Sequence, residues 1–291
     1  MKDEEKRRLQ ELGGSLYLSL PSSWINKFNL KKGREVIISL EESGELRIFP
    51  EKIEEEKEKT TIIHYDKYLF RNLIRDYLFG SDIIKIKKKA PFTRNERKVI
   101  ASYVNNLLNL EIIEEESNQL TIQNLKSDIP IKKMIARMYY LTKSMIDDLI
   151  KGHKNKEILK NIVERDKLVT KFYLAIIMQQ RALLTSRWSK DLSFVEILDL
   201  RLLIEKIEQI GDEIKSIVIK LLNKTSKKLK IEDIKFLLTK YEEAYNAYVK
   251  QDAETAKKFW DTEKSDKKRL FYNEDLVRIY DNIKDITDLV I

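Results

Sequence analysis

The 291-residue chain has no cysteine, two histidines, four prolines and seven glycines. Without cysteine, disulfides, zinc–thiolate sites and thiol catalysis are excluded, and the composition fits a reducing compartment. No run approaches the roughly 18 apolar residues that a membrane-spanning helix requires. The longest dense stretch is Phe172 to Met178. The opening residues, Met1-Lys2-Asp3-Glu4-Glu5-Lys6, lack the apolar core of a secretory leader. These absences lead to the expectation of a cytoplasmic protein with no membrane insertion. His64 ends a strand-like run and His153 sits in Gly152-His153-Lys154, neither with a nucleophile or acid at motif spacing. No catalytic residue is identified, and a non-enzyme is expected.

Charge, by contrast, is abundant. The net charge of +8 raises the question of nucleic acid. Residues 1–50 carry 9 Lys and Arg against 8 Asp and Glu, residues 51–128 carry 14 against 14, and the rest carry 33 against 26. Most of the excess therefore lies in the second half, so a DNA-binding role for the first fifty residues must rest on their fold and on dimer geometry. Heavy use of Lys, Glu and Ile resembles the composition of heat-adapted proteins that rely on ion-pair networks.

Between Leu12 and Pro50 the sequence describes a small β-module around a short helix. Gly13-Gly14 precedes Ser15-Leu16-Tyr17-Leu18-Ser19-Leu20, whose alternation places Leu16, Leu18 and Leu20 on one strand face. Pro21 fits the first turn of a helix that ends at Lys31-Lys32-Gly33. A second strand is expected over Glu35–Leu40, a turn at Ser43-Gly44 and a third strand over Leu46–Phe49. Glycines, proline and Trp24 in this order resemble the AbrB/SpoVT-type swapped-hairpin domain. That resemblance implies an obligate dimer, because so short a segment cannot bury a core alone. It also implies duplex-DNA contacts, for which Arg7, Arg8, Lys27, Lys31 and Lys32 are the matching candidates. Arg34 stands where the family commonly has an acid.

Glu51–Lys59 is a charge run expected to be a connector. The next segment alternates strands and helices: strand Thr60–His64, helix Asp66–Phe79 ending at Gly80, strand Asp82–Lys87, and a capping box at Thr93-Arg94-Asn95-Glu96 before a helix to Asn109. A hairpin over Glu111–Glu115 and Gln119–Gln123 closes it. Lys85-Ile86-Lys87-Lys88-Lys89 reads as an edge strand guarded by lysines. From Asp128, expected to cap a helix at Pro130, only helical periodicity remains. Helices are expected to about Lys151, over about Asn155–Thr185, from the capping box Ser193-Phe194-Val195-Glu196 to Asn223, then over about Ile231–Lys250, Ala253–Leu270 and Glu274–Ile291. Six helices in two sets of three suggest an internal repeat.

Carboxylates are the chemistry-bearing feature of that half. Glu205, Glu208 and Asp212 form one stripe at spacings of three and four, a quarter turn from the apolar face of Leu200, Ile204, Ile207, Ile214 and Val218. Asp166 interrupts an apolar face and requires a cationic, metal or hydrogen-bonding partner from another element. Asp281, Asp285 and Asp288 lie opposite the apolar face of the last helix. Glu208-Gln209-Ile210-Gly211-Asp212 resembles the E-x-x-x-D motif of PhoU proteins, phosphate-signalling regulators built from two three-helix bundles. Asp281-Asn282-Ile283-Lys284-Asp285 stands at the corresponding place in the second set, and Val163-Glu164-Arg165-Asp166 with Lys171-Phe172-Tyr173-Leu174 is similar to the paired motif. Thr170 replaces that motif's second acid, while Glu263 and Asp266 are the nearest acids on the fifth helix. Tyr68-Leu69-Phe70-Arg71 through Glu111-Ile112-Ile113-Glu114-Glu115 also resembles archaeal PhoU-type regulators with an AbrB-like amino terminus. The resemblance implies a metal cluster of zinc, iron or another divalent cation on Asp166, Glu205, Glu208, Asp212, Asp281 and Asp285. A solvated acidic face paired with lysines is the alternative reading of the same residues.

The expected fold is multidomain and mainly α: a swapped-hairpin β-module (1–52), a small α/β domain (60–127) and a PhoU-like pair of three-helix bundles (128–291). The expected function is a phosphate-uptake regulator that binds double-stranded DNA as a homodimer or higher assembly. Its helical half would sense a metal, a phosphate-linked signal or a transporter component. Two alternatives are a dimeric adaptor that modulates a phosphate transporter without binding DNA, and a carboxylate-bridged di-metal hydrolase.

Overall fold

The computed structural model describes residues 5–40, 44–50, 58–125, 129–185, 192–225 and 229–290. Asp128, Ser43, Ile291 and most of the charged connector lie outside them. The chain divides into two compact units, 1–57 and 58–291.

The described residues of the first unit form two separate two-stranded hairpins and a short helix. Strands β1 (Gln10–Leu12) and β2 (Ser15–Tyr17) pair around Gly13 and Gly14, whose φ angles are 59° and 79°. Positive φ at both central residues suits a tight hairpin turn, and glycine supplies it without steric cost. The strand expected over Leu16–Leu20 is thus half of a hairpin that ends at Tyr17. Gln10-Glu11-Leu12 is too short to show alternation, so β1 was not legible. Helix α1 (Ser22–Lys27) follows Pro21, and β3 (Val36–Leu40) pairs with β4 (Leu46–Pro50) from Val36↔Pro50 to Leu40↔Leu46. Among the described residues of this unit only Pro50 is buried. Leu16, Ile38, Leu40 and Leu46 are 68%, 60%, 73% and 65% exposed in a single chain.

The second unit begins with a four-stranded sheet. Its strands β5 (Thr60–His64), β6 (Ile83–Lys87), β7 (Leu110–Glu115) and β8 (Gln119–Asn124) lie in the order β5-β6-β8-β7. β5 and β6 are parallel, joined through helix α2 (Leu69–Leu78), and the other neighbours are antiparallel. The lysine-rich strand β6 is central, not an edge as expected. Ile84 and Ile86 carry it into the core while Lys85 and Lys87 take the opposite, partly open face. Helix α3 (Arg94–Asn105) starts at a complete Thr93/Glu96 capping box and stops short of the expected Asn109, which takes a left-handed φ of 63°. Ile63, Leu73, Tyr77, Ile100, Leu120 and Ile122 fill the space between sheet and helices, and Leu174 and Met178 join them from the helical half.

Among the described residues six helices follow: α4 (Ile131–Gly152), α5 (Lys156–Thr185), α6 (Phe194–Leu222), α7 (Ile231–Lys250), α8 (Ala253–Leu270) and α9 (Glu274–Thr287). α4, α5 and α6 pack as one three-helix bundle and α7, α8 and α9 as another; α6 against α9 and α4 against α7 join them. One apolar core runs through both. The buried face of α6 is wider than its sequence stripe, taking in Ile197, Leu203, Ile210, Gly211 and Ile217, because the helix packs on its own bundle and on α9. Tyr139 stacks on Tyr245 across the bundle junction, ring centroids 3.7 Å apart at 5°.

Candidate functional site

The amino-terminal candidates fall in two groups. Arg7 and Arg8 are exposed ahead of β1, and Arg7 Nε donates to Glu5 at 3.1 Å. Lys27 closes α1, and Lys31 and Lys32 stand exposed in the turn that follows. That turn is fixed by Leu30 N–H donating to Ile25 O and Arg34 N–H to Lys31 O, each at 3.0 Å. Lys27, Lys31 and Lys32 therefore share one end of the helix, next to the partial negative charge of its C-terminus.

In the first bundle the acids gather between α5 and α6. Asp166 is 4% exposed and faces Gly211 of α6, where a Cβ would lie 3.6 Å from its Oδ1, an ordinary contact. The partner that Asp166 requires is Lys215 of α6. Lys215 Nζ donates to Asp166 Oδ2 at 2.6 Å and to Asp212 Oδ1 at 2.8 Å. Burial raises the pKa of Asp166, and the Lys215 ammonium only partly opposes it. Burial also pulls the Lys215 ammonium down, but its bonds to Asp166 and Asp212 outweigh that and hold it at about 12. Glu205 accepts from Arg201 Nη1 at 3.1 Å, and Arg201 Nη2 donates to Tyr173 Oη at 3.0 Å. Glu208 is pushed up to about 7, first by burial and then by the charges of Asp212 and Asp166. It has no ion-pair partner among the described residues.

In the second bundle Lys267 of α8 lies 2.8 Å from Glu263 Oε1 on its own helix and 2.9 Å from Asp281 Oδ1 on α9. Asp285 meets Lys206 of α6 at 2.7 Å, and Asp288 meets Lys284 at 2.7 Å and accepts from Trp260 Nε1 at 2.8 Å. The junction between bundles carries further pairs, Lys220–Asp275 at 2.6 Å, Arg278–Glu213 at 2.9 Å and Lys143–Glu242 at 2.6 Å.

The structure therefore brings Asp166, Glu208 and Asp212 together, with Glu205 one turn away on the same stripe. Asp281 and Asp285 belong to a separate cluster. Five of the six proposed metal ligands, all but Glu208, are paired with the chain's own cations. Among the described residues no three His, Cys, Asp or Glu side chains are grouped to hold a metal ion. The donor set as folded does not fit the implied cluster, because ammonium groups stand between its carboxylates. Lys215 and Arg201 were not singled out from sequence, and Tyr173 only within the run Lys171-Phe172-Tyr173-Leu174. The signal for Lys215 was present: it follows Asp212 by three residues and extends the Glu205, Glu208, Asp212 stripe by one more helical step.

Comparison with known proteins identifies two regions. A PhoU domain is matched over residues 135–220, and the family described as antidote-toxin recognition MazE, bacterial antitoxin, is matched over residues 10–56. The first covers nearly all of α4 to α6, so the acidic cluster around Asp166 lies inside it; the second covers both amino-terminal hairpins. No curated protein and no solved structure matches the chain. No helix among the described residues is long and apolar enough to cross a membrane. The PhoU match supports a role in phosphate-uptake regulation, and the amino-terminal match is compatible with DNA binding or dimerisation. The chain thus joins a PhoU domain to an amino-terminal module of the MazE/AbrB type.

Proposed function

We propose that the protein is a dimeric, DNA-binding regulator of phosphate uptake whose PhoU-type half receives the signal through a phosphate-linked ligand or a transporter component. The observation that carries this reading is the missing core of the amino-terminal unit. Isolated two-stranded hairpins are marginal in water, and here Leu12, Leu16, Ile37, Ile38, Leu40 and Leu46 are exposed in a single chain. Pairing with a second copy would bury those faces and double the number of basic side chains on one surface. Lys27, Lys31 and Lys32, contributed twice, would then face the phosphates of a duplex, while Arg7 and Arg8 would lie ahead of the first hairpin of each copy.

The test is titration of the intact protein against duplex fragments from phosphate-uptake loci at several salt concentrations. Binding should weaken steeply with salt, and Lys31→Ala with Lys32→Ala should lower the slope of log K against log salt by about 0.9 for each phosphate left without its lysine. No protein-dependent shift at any salt would contradict DNA binding and leave a dimeric adaptor. The near-even balance of 9 basic and 8 acidic residues in 1–50 makes that outcome informative.

A further inference from the structure

We propose that the carboxylate clusters of the two bundles are closed by the chain's own lysines, Lys215 and Lys267, which take the place a divalent cation would occupy between the second and third helices of each bundle. The proposal concerns the helical half alone and stands whether or not the amino-terminal module binds DNA.

Both bundles bridge their second and third helices through a lysine, at positions that do not correspond. In the first, the ammonium comes from α6 and joins Asp166 of α5 to Asp212 of α6, at 2.6 and 2.8 Å. In the second, it comes from α8 and joins Glu263 of α8 to Asp281 of α9, at 2.8 and 2.9 Å. Each lysine therefore ties the second helix of its bundle to the third. The first bridge is seated on the buried Asp166, whereas the second lies on side chains that are 32–42% exposed. A hard divalent cation needs several oxygens converging at roughly 2.0–2.6 Å. In the first bundle Lys215 donates hydrogen bonds to both carboxylates, and in the second Lys267 donates to Glu263 and stands at ion-pair distance from Asp281; a second cation beside either ammonium would meet like-charge repulsion. Lys206 on Asp285 and Arg201 on Glu205 withdraw two more donors. Thr170 supplies no carboxylate where a second acid of the α5 motif would stand.

The ammonium clamp makes metal binding conditional on removing the lysine. The experiment uses the intact protein, freed of metal by chelator and dialysis, titrated separately with Mn²⁺ and Zn²⁺ by calorimetry, with thermal unfolding recorded with and without each ion. The wild type should take up no stoichiometric metal, and its unfolding midpoint should not move. Lys215→Met with Lys267→Met should gain about one ion or more per chain and become more stable when the ion is added, since a ligand of the native state alone stabilises it. Adding Asp166→Asn should remove the gain in the first bundle. Lys215→Gln, which keeps a hydrogen-bond donor, serves where the methionine variant does not fold. Stoichiometric uptake by the wild type that is abolished in Asp166→Asn would overturn the proposal. So would a folded lysine-free variant that takes up no metal, because the lysines would then not be what fills the cation's place.

Discussion

The two units of this chain solve the problem of apolar surface in opposite ways. From Ile63 to Val290 the second unit encloses its hydrophobic side chains in a sheet–helix core and in one core shared by both bundles. The first unit has strands, turns and a helix with local signals as clear, yet a single chain buries none of its hydrophobic side chains among the described residues. Secondary structure there is a matter of glycine turns and alternation, whereas the proposed dimer would supply the missing burial. Local pattern and independent folding are separate properties, and only the second requires enough surface to bury.

Substitutions at matched residue types sharpen that contrast, and the largest effect is expected in the bundle core. Ile207 is fully buried; Ile207→Ala should cost about 2–5 kcal/mol in urea unfolding. Ile38→Ala, at 60% exposed, should leave the unfolding of the second unit unchanged. Equal destabilisation by the two would break the comparison.

The tight approach of α4 and α5 ranks next. A Cβ on Gly152 would stand 2.5 Å from Ile158 Cγ2 and 2.8 Å from its Cβ. Gly152→Ala should therefore destabilise by about 1–3 kcal/mol despite alanine's better helix propensity. A stabilised variant would show that the two helices part more easily than their packing indicates.

Glu208 gives a smaller effect with a definite pH dependence. Its folded pKa, about 7, lies above the ordinary 4.5. The native state thus holds the proton more tightly than the unfolded chain, and stability falls as pH rises from about 4.5 through about 7. Glu208→Gln should match the wild type near pH 4.5. At pH 8 it should exceed the wild type by about 1–2 kcal/mol, a figure reduced for the solvent screening of a partly exposed group. Parallel stability curves for the two proteins across that range would contradict the assignment. The smallest expected change is Ser193→Ala, which removes the acceptor for Glu196 N–H at 3.1 Å and should cost about 1 kcal/mol.

What could be read in advance follows the same divide. Capping boxes at Thr93 and Ser193 and the 3.6-residue periodicity located α3 and α6, and α7 and α8 follow their expected limits, because these signals are local. The strand β1 was hidden by its length, and the central place of β6 by its lysines, since which strand lies at an edge is decided by distant pairing with β8. Asp166 was legible as a buried acid in need of a partner. Periodicity places Lys215 on the acidic stripe of α6, but that it meets Asp166 depends on how α5 and α6 are set against each other, which periodicity does not report.

The central claim, that the amino-terminal unit obtains its core from a second copy, is tested most directly by amide hydrogen exchange across β2 and β3 in the intact protein and in Leu16→Asp with Ile38→Asp. Both side chains are exposed in a single chain, so a self-sufficient unit would lose little by the change. The account predicts slow exchange in the wild type and its collapse in the variant, with residues 58–290 unaffected. Equal protection of β2 and β3 in both proteins would contradict it.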